Sequence, residues 1–192
     1  MRQELGHVTS EREYFYQLDV ELIGKMRRRA DHEEYLRRMA ETCQIDDPNV
    51  LQHLERLGFN PTTVSLLCLV PALQVAWARG WVSHAERHRV LAIARLHGVK
   101  ENTPAYQQLQ AWLEFPPPPE FFEGTLRAIQ TALELLPADE RKNRRDALIG
   151  HCMEVASAAW HLGKISAAER KLLEEIQKQL EPHQQRAASA GV

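Results

Sequence analysis

Strand signals are almost absent from this chain. It has no Asn-Gly hairpin turn and no sustained alternation of apolar and polar residues, which points away from sheets and toward an all-α fold. Cysteine is scarce. Cys43, Cys68 and Cys152 stand far apart, none in CxxC spacing, and an odd count fits a secreted disulfide framework badly. Charge of one sign is also lacking: 24 Lys and Arg oppose 26 Asp and Glu, for a formal net charge of −2. No global basic field therefore draws in nucleic acid. The start, "MRQELGHVTSEREYF", holds no apolar run, so the expectation is no signal peptide and a reducing, cytoplasmic setting. No glycine-rich phosphate loop, no HExxH and no paired ExxH occurs, which removes three common catalytic designs.

One long uncharged run is present, "PTTVSLLCLVPALQVAWA" at 61–78. It contains Pro71, Gln74, Ser65 and two threonines, and the similar stretch "HCMEVASAAW" includes His151 and Glu154. Helices buried in protein suit both better than a membrane span, so no transmembrane segment is expected.

Helix punctuation is frequent. A first helix follows Thr9 and Ser10, with Tyr14, Leu18, Leu22 and Met26 as its apolar stripe. A second runs from Asp31 to about Cys43. Asp47 caps a third that Pro48 opens and Gly58 ends. Asn60 and Pro61 repeat that device for a helix over 61–78, apolar all round, with a kink at Pro71. Helices follow from about His84 to His97 and ahead of "FPPPPE". The four prolines are a stiff connector whose last member can open the next helix, the one carrying Phe121, Phe122, Leu126 and Ile129. Pro137 begins a helix ending near Gly163, and a last one spans about Ala167 to Leu180. Residues 183–192 read as a disordered tail.

The chain writes one phrase twice: "AWARGWVSHAERHRVL" at 76–91 and "AWHLGKISAAERKLLE" at 159–174. Ala76, Trp77, Gly80, Ser83, Ala85, Glu86 and Arg87 match Ala159, Trp160, Gly163, Ser166, Ala168, Glu169 and Arg170. Each position has a task. The glycine takes the positive φ of a helix terminus. Val82 or Ile165 turns inward. The serine caps the next helix, and the glutamate three residues on completes a capping box. The unit is a helix–turn–helix hairpin, and two such hairpins can bury each other's apolar faces about a pseudo-two-fold axis, with Trp77 and Trp160 as core residues.

This doubled pattern resembles the TerB-like tellurite-resistance family over about residues 60–180. The resemblance implies an all-helical bundle of two pseudo-symmetric halves and a link to bacterial stress response. In some members it also implies a metal site of acidic residues near the hairpin turns. Here the residue before each glycine, acidic in that family, is Arg79 or Leu162; only Glu86 and Glu169 match. Carried over, the resemblance divides the chain into an N-terminal helical extension (1–58) and a TerB-like core (59–182).

Other candidate chemistry is thinner. His84 and His88 lie one helical turn apart and can face one transition metal, with His97, His151 and His161 as available third ligands. Ser83 and Ser166 already have capping work. The cysteines sit in apolar helices, and His151 beside Cys152 points about 100° away from it. The run "GKMRRRADHEEYLRR" raises nucleic acid or an anionic membrane surface, but its interleaved acids favour a solvated, internally paired helix face. The expectation is no nucleic-acid partner, with peripheral membrane association left open. Trp81, matched by the turn residue Lys164, is a candidate protein contact. The expected function is a non-catalytic, stress-associated binding or scaffold protein acting through protein partners. Its first alternative is a divalent metal binder using Glu86 and Glu169, or His84 and His88. Its second is an uncharacterised enzyme with a cleft between the halves. No cofactor beyond such a metal is expected, and the oligomeric state is left open.

Overall fold

The computed structural model describes residues 4–158 and 165–181, with side chains from Tyr16 onward. The turn residues Leu162, Gly163 and Lys164, the expected core residue Trp160, His161 and the tail 183–192 lie outside the described residues. Among the described residues every regular element is helical and none is a strand. The chain divides into two compact units, residues 1–38 and 39–192.

Helix α1 spans Glu4–Cys43 without a break, and residues 4–38 of it form the described part of the first unit. The expected start after Ser10 and the second start at Asp31 are both corrected. No proline lies in α1, and its described glycine, Gly24, meets nothing closer than a flexible arginine tip. Charge pairs run straight past Asp31: Glu21 with Lys25 at 2.7 Å, Arg29 with Glu33 at 3.0 Å, and Glu34 with both Arg37 and Arg38 at 2.7 and 2.9 Å. Each such pair stabilises a helix by only a few tenths of a kcal/mol, but together they favour continuity over a cap. Lys25, Arg29, Arg37 and Arg38 of the basic run are thus paired within the helix, and hydrogen bonds from Arg37 and Arg38 lower the Glu34 pKa to about 2.

Among its described residues the second unit contains the end of α1 and seven further α-helices: α2 (Pro48–Arg56), α3 (Val70–Ala76), α4 (His84–Leu96), α5 (Pro104–Glu114), α6 (Pro119–Glu134), α7 (Ala138–Ala158) and α8 (Ala167–Gln179). Asp47 caps α2 through the N–H groups of Asn49 and Val50, and Gly58 leaves it with φ +90°. The expected helix over 61–78 is replaced by a turn, a 3₁₀ segment Val64–Leu69, and α3. Asn60 explains the turn, since its side chain accepts from the N–H groups of Thr62 and Thr63. Pro71 produces no mid-helix kink. It is the second residue of α3, in the first helical turn, where proline is tolerated.

Helix α3 is the axis of this unit and packs against α4, α6, α7 and α8. That is why it is apolar all round: Val70, Pro71, Ala72, Leu73, Val75 and Ala76 are all buried. Pro119 opens α6 as the connector suggested, and Phe121 stacks on Phe59 at 5.5 Å and meets Trp112 at a tilt at 5.0 Å. Helix α2 lies on α6 at Gly124, whose missing Cβ would sit 2.7 Å from a Leu57 methyl. No described helix is long and apolar enough to cross a membrane.

Candidate functional site

The repeated phrase builds the candidate site. In its first copy α3 ends at Trp77, the chain turns at Gly80 with φ +82°, and Ser83 starts α4. The Ser83 Oγ accepts from the Glu86 N–H at 3.2 Å, and Glu86 Oε2 accepts from the Ser83 N–H at 2.7 Å. In the second copy Ser166 Oγ accepts from the Glu169 N–H at 3.2 Å, and Glu169 Oε2 accepts from the Ser166 N–H at 2.8 Å. The capping boxes read from the spacing are both present. Both glutamates are nearly inaccessible, Glu86 at 0% and Glu169 at 2% exposure. Val82 and Ile165 are half-buried beside them.

Two buried carboxylates need a cation. The turn between α3 and α4 supplies one. Arg79 Nη2 donates to both oxygens of Glu86 at 2.9 Å, and its Nε lies 3.2 Å from Glu169 Oε1. The second contact is an ion pair without hydrogen-bond alignment. A single guanidinium therefore joins the starts of α4 and α8. The other face of that guanidinium carries Trp81, its ring centroid 4.5 Å from Cζ, a cation–π contact. Trp81 is 54% exposed, whereas the Arg79 side chain is only 25% exposed.

Trp77 and Arg87 work on the opposite side of the turn. Trp77 Nε1 donates to the Trp112 carbonyl at 2.9 Å, and Arg87 Nη2 donates to the Leu113 carbonyl at 2.7 Å. Those carbonyls belong to the last turn of α5. Their helical donors would come from residues 116 and 117, both prolines with no N–H. The repeat residues supply what the proline connector withholds.

The other expected residues are scattered. His84 and His88 are exposed at the start of α4. Among the described residues no three His, Cys, Asp or Glu side chains are grouped to hold a metal ion. Burial raises the thiols of Cys43, Cys68 and Cys152, the last two to about 11 and about 12, which leaves little thiolate for nucleophilic chemistry. His151 meets His97 rather than Cys152: their Nε2 atoms are 3.3 Å apart and their rings nearly perpendicular. Burial and the neighbouring His97 lower the His151 pKa, with Glu154 opposing. This pair lines a largely apolar cavity of about 360 Å³ that also reaches Cys43, Cys68 and Arg144.

Sequence reasoning missed Arg79 as the bridge, although the substitution of arginine for an acid before Gly80 was its signal. It also missed the His97–His151 contact, for which residues 54 apart leave no local signal. No protein-family model, curated protein or solved structure matches this chain.

Proposed function

We propose that this is a non-catalytic TerB-like binding or scaffold protein of the bacterial cytoplasm, associated with stress response. In this reading its second unit is two pseudo-symmetric helical hairpins. The observation that carries it is the Arg79 bridge. Two capping boxes of matched geometry turn their glutamates toward one guanidinium, so a fixed positive charge of the protein's own occupies the position between the two hairpin starts. Trp81, stacked on that guanidinium and exposed, supplies a rigid aromatic anchor for a protein partner. The raised thiols of Cys68 and Cys152 and the engagement of Ser83 and Ser166 as caps support a role without catalysis.

Two measurements test this reading. In-cell crosslinking followed by capture should recover a defined partner set from wild type and lose it with Trp81→Ala; an unchanged set removes Trp81 from the function. Thermal melts with Mg²⁺, Ca²⁺ or Mn²⁺ should show no stabilisation, because hard cations need several free carboxylate oxygens and Arg79 occupies those of Glu86. A saturable rise that disappears in Glu86→Gln/Glu169→Gln would instead favour the metal-binding alternative.

A further inference from the structure

A second place in the same unit gathers ligand chemistry. His97 is the C-cap of α4 and is exposed; His151 lies on α7 and is half-buried. The two Nε2 atoms lie 3.3 Å apart, with ring centroids 4.8 Å apart and planes at 87°. That separation admits a weak N–H···N hydrogen bond between the two rings. It matches the edge of a tetrahedron around an ion held at about 2.0–2.1 Å from each imidazole nitrogen, which places the two nitrogens roughly 3.3–3.4 Å apart.

Three further features favour a cation there. The carbonyl end of α4 carries partial negative charge beside His97. The exposed His97 ring gives an entry path. The cavity of about 360 Å³ next to the pair leaves room for the remaining ligands. The lining also selects the ion. It contains no carboxylate, and its one charged side chain, Arg144, is matched by Glu140 at 2.9 Å. Hard cations, which favour several carboxylate oxygens, find none in that lining, whereas imidazole nitrogen suits zinc, copper and nickel.

We propose that Nε2 of His97 and Nε2 of His151 form a two-imidazole site for a divalent late transition-metal ion, Zn²⁺, Cu²⁺ or Ni²⁺. Its other coordination positions open toward the adjoining cavity, where water or a small donor molecule completes the sphere. The ion ties the end of α4 to the middle of α7. Because only the folded chain brings these residues together, binding raises the melting temperature with metal concentration.

The test uses the full chain, free of any polyhistidine tag, in a buffer that does not chelate. Titration with ZnCl₂, NiCl₂ and CuCl₂ should give one saturable site by calorimetry, a rise in melting temperature reversed by EDTA, and with Cu²⁺ a d–d absorption band. His97→Gln changes an exposed side chain, so the fold should survive; it should weaken binding at least tenfold and remove the band. His151→Gln should do the same, and His84→Gln/His88→Gln should leave binding intact. The proposal is overturned by the absence of saturable binding, by binding that survives His97→Gln, or by binding lost in the His84→Gln/His88→Gln protein.

Discussion

Arg79 decides the local electrostatics of the candidate site. A glutamate in a capping box normally stays near water, but here both are buried, so each carboxylate depends on its few hydrogen bonds. Glu86 receives one from the Ser83 N–H and two contacts from Nη2 of Arg79; Glu169 receives one from the Ser166 N–H and the Nε contact. Removing the guanidinium leaves two negative charges facing each other away from solvent. Losing one partner of a buried ion pair costs about 3–5 kcal/mol. Arg79→Met should therefore destabilise the protein by about 3 kcal/mol, toward the low end because Arg79 is partly exposed. Arg79→Met/Glu86→Gln/Glu169→Gln should recover most of that loss, since glutamine can still close a capping box without its charge. Urea unfolding curves of the two variants check this. A single variant as stable as wild type, or a triple variant no better than the single, would show that the bridge is not what keeps the carboxylates buried.

At the scale of the element, helix α5 depends on the repeat for its C-terminal end. Four prolines stop that helix abruptly, and the Trp112 and Leu113 carbonyls accept from Trp77 and Arg87 instead of from the chain ahead. Trp77→Phe keeps an aromatic ring but no donor, and Arg87→Met keeps an unbranched stem but no guanidinium. Each leaves one carbonyl unsatisfied where it is shielded, so each should cost roughly 1–3 kcal/mol. Amide hydrogen exchange should rise in α5 before it rises in α7. Uniform acceleration across the unit would mean the contacts are incidental. The same elements show what sequence makes legible. The starts of α2, α4 and α8 are readable because a cap and its target lie within three residues, as in Ser83 with Glu86, and that of α6 because the last proline of the connector, Pro119, opens it. Asp31 carries the same residue type as a cap, yet it sits mid-helix because no glycine or proline nearby interrupts the ladder of charge pairs. Pro71 reads locally as a kink, but the residues ahead of it form the 3₁₀ segment Val64–Leu69, so it stands in the first turn of α3. Arg79 with Glu169 and His97 with His151 join residues from different helices, and no local pattern encodes such meetings.

At the scale of the whole molecule, burial is distributed unevenly along the chain. Among the described side chains the buried apolar residues begin at Met39 and continue to Leu180, whereas Leu18, Val20, Leu22, Ile23 and Met26 are exposed. Apolar area removed from water is the main favourable term in folding, so the stability of the second unit is generated within its own residues. A chain shortened to residues 31–192 keeps Met39 and the last turns of α1, and it places Asp31 where an N-cap is wanted. It should unfold in one cooperative transition with a melting temperature within a few degrees of the full chain, since that transition reports the core. Its helical ellipticity should fall in proportion to the α1 residues removed. Calorimetry alongside far-ultraviolet dichroism separates the outcomes. A calorimetric enthalpy that drops by much more than the lost helix explains, or a broad non-cooperative melt, would mean that residues 31–192 do not hold their core by themselves.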